Sequence, residues 1–230
     1  TGRSAWIRLF DETSAALRFP FKKKSLTEAE ILNLLSDADP DTRKIAGKSL
    51  SEVLENNKRI FGMILNVISR DRFIEDNKRG FKRIMSSRNL DNDVEDEVVD
   101  KLVDTIDKAM PKLTHRYYKW KANQFGQTRL DWWDRNAPLP HSSENLIKWS
   151  DAKDIILDSF SSFHPEISNL AELFFKNNWI DASLRKGKAS GAFAHPSVPS
   201  LHPYILVNYQ GKIRDVMTLA HELGHGVHQI

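Results

Sequence analysis

A mainly α-helical fold, with a small β element directly before the final helix, is the fold class that the sequence predicts. Apolar residues recur at helical spacing over most of the 230 residues, whereas one segment, residues 204–209, has the composition of a strand. Hydrophobic residues make up 40% and charged residues 28% of the chain, which is typical of a folded protein rather than a disordered or fibrous one.

The first predicted helices are marked by their N-terminal caps. Ser25 and Glu28 have the spacing of a capping box, and apolar residues follow them at helical spacing, which predicts a helix that begins at Ser25. Asp39 and Pro40 predict the start of a second, long helix, because proline is favoured in the first helical turn. The apolar stripe of this helix continues to about residue 69.

Two more helices are predicted before residue 126. A shorter one covers residues 72–86, and Asp91 predicts the cap of another that continues towards residue 125. Pro111 lies inside this last pattern and predicts a kink or a restart, because proline lacks the N–H that an interior helical position donates.

The second half of the chain predicts an ordered loop, two helices, a strand and a final helix. The loop covers residues 126–149, and the helices cover residues 150–163 and 165–176. The strand at residues 204–209 ends near Gly211, and a strongly amphipathic helix then continues to the end of the sequence.

Composition and charge exclude several classes of protein. Because Cys is absent, disulfides, thiolate metal sites and a Cys nucleophile are excluded. The 34 basic and 31 acidic residues leave a net charge of only +3, and the basic residues are scattered, so no nucleic-acid partner is predicted. No apolar run approaches the roughly 20 residues that cross a bilayer, and the first residues do not resemble a secretory signal. We expect a cytoplasmic protein without a membrane partner, and no feature predicts the oligomeric state.

The final predicted helix contains an HExxH motif, His221-Glu222-Leu223-Gly224-His225. Residues at positions i and i+4 lie on one face of a helix, so both imidazoles can bind a single Zn²⁺ at about 2.0–2.1 Å. The glutamate between them can then take a proton from an attacking water and pass it to a leaving amine.

The same helix has an apolar face opposite its imidazoles. At about 100° per residue, Met217, His225 and His228 lie close to His221, whereas Leu219, Leu223 and the other apolar residues lie on the far side. His228 is therefore a candidate substrate contact or simply a surface residue. Because the HExxHxxGxxH signature requires glycine where His228 stands, that branch of zinc peptidases is excluded. Gly224 lies inside the helix, where glycine costs about 1 kcal/mol relative to alanine, and the close approach of another backbone is one candidate reason for it.

Three segments near the end of the chain carry a resemblance to a known family. They are WIDASLRKGKASGAF at residues 179–193, PYILVNYQG at residues 203–211 and DVMTLAHELGHGVH at residues 215–228. Together they strongly resemble the oligoendopeptidase F branch of the thimet-type zinc oligopeptidases, and WDRNAPL at residues 133–139 is similar to an upstream element of that family.

The resemblance implies a multi-helix zincin with a thermolysin-like active-site helix, which hydrolyses internal peptide bonds of short unstructured peptides. It implies that His221 and His225 bind zinc and that Glu222 is the general base. It also implies substrate-binding roles for residues that border the channel, namely Gly191, Ala192, His195 and Tyr204. A substrate strand beside them would explain the small residues Gly187 and Gly191.

The family's third zinc ligand is a glutamate downstream of HExxH, and its transition-state-stabilising Tyr and His lie further on. The chain ends before these positions. We therefore expect residues 1–230 to be the N-terminal and middle part of one helical catalytic region whose C-terminal part is missing, with negligible turnover by itself.

Two alternatives remain open. The first is a non-catalytic helical module that binds peptides or an inactive fragment, and the absent third ligand favours it. The second is another zinc hydrolase such as an aminopeptidase, which ranks lower because no acidic clamp for a free N-terminus is evident near Gly191.

Overall fold

The structure is a computed structural model that describes residues 2–140, 145–198 and 200–230. The chain divides into two compact units, Thr1–Leu26 with Glu30–His141 and Thr27–Ala29 with Ser142–Ile230. Helices dominate the described residues, so the predicted mainly α fold is confirmed. The helices are α1 (Arg3–Ala16), α2 (Glu28–Leu34), α3 (Pro40–Lys78), α4 (Ser86–Asp91), α5 (Asp96–Ala109), α6 (Thr114–Gln124), α7 (Trp149–Phe163), α8 (Pro165–Lys176) and α9 (Ile213–His228).

The first unit begins with a helix and a small hairpin that the sequence patterns did not predict. Strands β1 (Phe19–Phe21) and β2 (Lys24–Leu26) pair in antiparallel fashion. The capping box predicted at Ser25 is wrong, because Ser25 lies in β2 opposite Pro20 and α2 begins only at Glu28. The phenylalanines of β1 pack into a core with residues of α2 and α3; its buried members are Phe19, Phe21, Ile31, Leu35, Ala46 and Leu50.

Helix α3 begins where the sequence predicts and ends later than predicted. The Asp39 carboxylate accepts hydrogen bonds from the backbone N–H groups of Asp41 and Thr42 at 3.2 and 3.1 Å, which caps the helix. Because no glycine or proline occurs between Gly62 and Gly80, which has φ of +80°, the helix continues past the end predicted near residue 69 to Lys78. The separate helix predicted for residues 72–86 is therefore wrong.

The break at Pro111 is confirmed, because α5 ends at Ala109 and α6 starts at Thr114. The cap predicted at Asp91 is wrong, since Asp91 is the last residue of α4 and Glu95 precedes the first residue of α5.

Buried charges hold the first part of the predicted loop, which contains a 3₁₀ helix at Trp132–Asp134. Arg43 donates from Nε to Asp134 Oδ1 at 2.8 Å, and the two side chains are 2% and 5% exposed. Lys121 donates from Nζ to the carbonyl of Arg135 at 2.8 Å. These contacts explain why this segment is ordered without regular secondary structure.

The second unit packs α7, α8 and α9 against a three-stranded sheet. The strands are β3 (Ile180–Asp181), β4 (Phe193–His195) and β5 (Tyr204–Leu206), in the order β3-β5-β4. Strand β5 runs parallel to β3 and antiparallel to β4. The sequence predicted the position of β5, which is shorter than expected, and did not predict β3 or β4.

One hydrophobic core joins the sheet to the three helices. Its buried members are Ala152, Ile156, Ala171, Phe174, Ile205, Val207, Val216, Leu219 and Leu223. Among the described residues, no helix is both long and apolar enough to cross a membrane.

Candidate active site

The N-terminus of α9 is fixed by Asp215. Its Oδ2 accepts the backbone N–H groups of Gln210 and Lys212 at 2.9 and 3.0 Å, and the Asp215 N–H in turn donates to the Lys212 carbonyl at 2.8 Å. An acidic residue in the first turn also interacts favourably with the positive end of the helix dipole. The helix that carries the HExxH motif therefore starts at a defined position directly after the sheet.

The two faces of α9 differ as the sequence predicts. Val216, Leu219 and Leu223 are buried in the core, whereas His221 and His225 are exposed. Because the apolar face is packed, the helix cannot rotate about its axis without exposing that face, which fixes the direction of both imidazoles.

Gly226, rather than Gly224, is the glycine of α9 that packing requires. A Cβ atom at Gly226 would lie 2.7 Å from Cζ of Phe174 and 3.2 Å from Cδ1 of Ile205, both of which are buried. The close approach expected at Gly224 is wrong, since no atom of the described residues lies within 4 Å of a Cβ built there.

The imidazoles of His221 and His225 face each other. Their Nε2 atoms are 3.0 Å apart, with ring centroids at 4.6 Å and ring planes at 89°. Two nitrogen ligands of a tetrahedral zinc ion at about 2.0–2.1 Å lie about 3.3–3.4 Å apart. The observed separation is therefore within a few tenths of an ångström of the separation that a shared metal ion requires.

Glu222 lies between the imidazoles and the core and is only 8% exposed. Within the part of the chain that the structure describes, no hydrogen bond or ion pair to its carboxylate is observed. A carboxylate that is not committed to a structural partner can accept a proton from a molecule bound beside it.

A complete metal site is not found among the described residues. No group of three or more His, Cys, Asp or Glu side chains that could hold a metal ion occurs among them. The residues present thus fit two ligands of a zinc ion, and the motif by itself supplies no third.

The predicted substrate residues lie around β4 and β5. Gly191 precedes β4, Ala192 packs on the core, and His195 in β4 pairs with Tyr204 in β5. His195 and Tyr204 are exposed and lie on the face of the sheet opposite Ile205, which is buried against the helices. His228, the last residue of α9, is also exposed, and no hydrogen bond or ring contact joins it to the described part of the chain.

The glycines before β4 have a conformational rather than a packing reason. Gly187 and Gly191 have φ of +79° and +83°, and a Cβ at either would meet no atom of the described residues within 4 Å. The left-handed backbone conformation favours glycine at both positions.

Two groups near the sheet were missed by the sequence patterns. His202 stacks on Trp179 with ring centroids 3.8 Å apart and planes at 6°, and it also contacts Tyr204 at 4.5 Å. Lys188 is buried in a polar network with Asp181. His202 belongs to none of the segments that resemble the family. Lys188 lies in the family-like segment 179–193, but a lysine in the basic run of residues 185–188 is expected to be solvated.

Two cationic side chains surround the Asp181 carboxylate in this network. Arg185 donates two hydrogen bonds to the Asp181 carboxylate at 2.6 and 2.5 Å, and the Lys188 ammonium lies 3.1 Å from the same carboxylate. The hydrogen-bonded Arg185 guanidinium, together with Lys188, lowers the pKa of the Asp181 carboxyl to about 2 although partial burial opposes this shift.

An exposed pair of imidazoles on a packed helix, with a glutamate between them, is the arrangement of a metallopeptidase active-site helix. The chain belongs to peptidase family M3, which matches residues 33–230.

Named relatives agree with this membership. The chain is 27% identical to oligopeptidase PepF of Bacillus subtilis (strain 168) over 207 residues, which is 90% of this chain and 30% of that protein. It is 30% identical to an oligoendopeptidase F homolog of Borreliella burgdorferi over 220 residues, which is 94% of this chain and 37% of that protein. The chain therefore spans about a third of the length of these relatives.

The fold is also that of a solved peptidase. A structure of PZ peptidase A with an inhibitor superposes with a TM-score of 0.86 over 98% of this chain and 41% of that one, at 21% identity.

Proposed function

We propose that the protein is a zinc-dependent oligoendopeptidase that hydrolyses internal bonds of short, unstructured peptides. The observation that carries this proposal is the 3.0 Å separation of the His221 and His225 Nε2 atoms on the exposed face of α9. Membership of peptidase family M3 and the names of the relatives support it.

His221 and His225 would hold the zinc ion through Nε2. When bound, zinc polarises a carbonyl group and lowers the pKa of water, which supplies the electrophile and the nucleophile of amide hydrolysis. Glu222 acts as the general base: its carboxylate accepts a proton from the attacking water and delivers it to the nitrogen of the leaving amine. The third ligand and the groups that stabilise the oxyanion lie outside the described residues in this proposal.

The substrate lies along β4. Among the described residues, this strand has a neighbour on one side only in the order β3-β5-β4, which leaves the backbone groups of its other edge available to an extended peptide. The residues that would border this peptide are Gly191, Ala192, His195 and Tyr204. His228, about one helical turn after His225, would also contact it. Folded proteins would be poor substrates because an extended backbone is required.

Replacement of Glu222 by glutamine in the full-length gene product tests the proposal. Glutamine preserves the size of the side chain but cannot accept the proton, so we expect kcat to fall at least about a hundredfold. We expect zinc content to remain at the wild-type value, because Glu222 is not a ligand here. Cleavage of an internally quenched peptide and elemental analysis measure the two quantities.

His221→Ala is the matched variant, which we expect to lose both zinc and activity. Wild-type turnover in Glu222→Gln would contradict the role of Glu222. Undiminished turnover in His221→Ala would contradict the zinc site.

A second candidate is a module that binds peptides without cleaving them. The lack of a third metal ligand among the described residues favours it. A full-length gene product that binds an extended peptide but neither holds zinc nor hydrolyses the peptide would support this candidate over the first.

A further inference from the structure

Lys188 is a buried lysine with an unusually complete set of acceptors. Its side chain is 1% exposed. Nζ donates to the carbonyls of Asp181, Ser183 and Val207 at 2.9, 2.9 and 2.7 Å, and it lies 3.1 Å from the Asp181 carboxylate. An ammonium group has three N–H donors, so these acceptors satisfy all of them.

The acceptors come from different parts of the sheet. Asp181 ends β3, Ser183 lies in the loop that follows β3, and Val207 directly follows β5. Lys188 itself lies in that loop, which leads to β4. Its ammonium group therefore joins the ends of two strands to the segment that delivers the third.

Asn208 makes a second connection of the same kind. Its Nδ2 donates to the carbonyls of Ala189 and Gly191 at 2.9 and 3.0 Å. Residues 188–191 are thus bound through Lys188 and Asn208 to the end of β5, immediately before β4 begins.

The strands are too short to fix their positions alone. Strand β4 pairs with β5 through three residues only, from Phe193 to His195, and β3 has only two residues. Isolated short pairings of this kind are marginally stable in water, so other contacts must hold β4 in register.

The position of β4 matters for the site because β4 is packed next to α9. Ala192 and Ala194 pack against the core that contains Leu219 and Leu223 of α9. A shift of β4 would change the distance between the edge that is unpaired among the described residues and the imidazoles that α9 carries.

We propose that Lys188, assisted by Asn208, is a positioning residue that holds edge strand β4 in the register needed to bind an extended peptide beside His221 and His225. This inference rests on the proposed function, because it assigns the strand's edge to the substrate. Lys188 does not touch the substrate, and its effect is transmitted through the backbone of residues 188–191.

The test replaces Lys188 by methionine in the full-length gene product. Methionine has a similar length but no charge and no donors, so the three carbonyls lose their shared partner. We expect KM for an internally quenched peptide to rise about tenfold while kcat changes less than about threefold, which is the pattern of lost uniform binding. Hydrogen exchange of the amides in residues 189–195 and 204–206 should accelerate, whereas exchange in α9 should not.

Arg185→Gln is the control. Arg185 binds the same Asp181 carboxylate, but from a side chain that is 56% exposed, and such surface ion pairs contribute little. We expect its KM and its exchange in residues 189–195 to stay within about twofold of wild type.

Asn208→Ala is a second variant in case Lys188→Met does not fold. It removes two hydrogen bonds from a residue with a partly exposed side chain, and we expect a smaller increase in KM with the same change in exchange. Two results in either variant would overturn the inference. The first is an unchanged KM together with faster hydrogen exchange in β4, and the second is unchanged hydrogen exchange.

Failure of the proposed function is recognised in the wild-type protein, whereas failure of the positioning role is recognised in the variants. If wild-type protein with bound zinc does not hydrolyse peptides, the proposed function fails and the positioning role fails with it. If wild type is active and Lys188→Met has wild-type KM and exchange, only the positioning role fails.

Discussion

Gly224 and Gly226 are two residues apart on the same helix and have opposite surroundings. Gly226 is buried against the rings and methyl groups that join α8 and β5 to α9, whereas Gly224 is exposed beside the imidazoles. Glycine destabilises the interior of a helix by about 1 kcal/mol relative to alanine. At Gly226 this cost is offset by the close contact with Phe174, whereas at Gly224 no packing contact with the described residues offsets it.

We therefore expect Gly226→Ala to destabilise the protein. The added Cβ would lie 2.7 Å from Cζ of Phe174, whose side chain is completely buried and cannot move without disturbing the core. Overpacking of this kind costs about 1–3 kcal/mol, which exceeds the gain in helix propensity. The net fall in the free energy of unfolding, measured by denaturation in urea, should be up to about 2 kcal/mol.

Gly224→Ala is the matched control, and it should raise the free energy of unfolding by up to about 1 kcal/mol, because the new methyl group meets open space. Equal effects of the two substitutions, in either direction, would show that contact with Phe174 does not determine the glycine at 226.

At the same scale, the sequence predicts where the motif residues lie on the helix, but it does not predict the residues that pack around them. His221, Glu222 and His225 follow from spacing alone, because the geometry of a helix is the same in every protein. Lys188 and Gly226 could not be found in this way, since their roles depend on carbonyls and rings that are distant in the sequence. The roles of His221, Glu222 and His225 and of the residues around β4 stay predictions.

At the scale of elements, the N-terminal turn of α3 is joined to the 3₁₀ helix by buried charge. Arg43 donates to Asp134 and, through Nη1, to the carbonyls of Asp37 and Ala38 at 2.7 and 2.9 Å. A buried ion pair gains little over apolar residues, but loss of one partner leaves a buried charge without compensation.

Arg43→Met should therefore cost about 3–5 kcal/mol in the free energy of unfolding, because Asp134 would keep a buried carboxylate without its cation. Denaturation in urea measures this loss. The double substitution Arg43→Met with Asp134→Leu should recover part of it, since both charges are then removed. A loss below about 1 kcal/mol for Arg43→Met alone would contradict a buried, coupled pair.

The helices and strands that could be predicted are those with strong local sequence signals, namely caps, proline and apolar periodicity. The start of α3 at Pro40, the break at Pro111 and the positions of α7 to α9 follow from caps, proline and apolar periodicity. Strands β3 and β4 have two and three residues, too few for a period of two to be recognised. Their positions depend instead on β5 and on the polar network of Lys188.

At the scale of the whole molecule, the number of metal ligands determines how tightly the chain can hold zinc. The described residues supply two imidazoles at a separation suitable for zinc, whereas catalytic zinc usually has three protein ligands and a water molecule. Because the chain spans 30% and 37% of the length of the two named relatives, the activity of the whole protein is a separate question from the metal affinity of these 230 residues.

We expect the 230-residue chain to retain much less than one zinc per chain after exhaustive dialysis, because two imidazoles on one helix bind zinc more weakly than three ligands do. Elemental analysis of the dialysed protein measures this, with His225→Ala as the baseline for non-specific binding. About one equivalent in the wild-type chain, absent in the variant, would contradict the expectation and require a third ligand from outside the described residues or from a second copy. Size-exclusion chromatography with and without zinc would separate these two sources, because only the second makes the dimer depend on the metal.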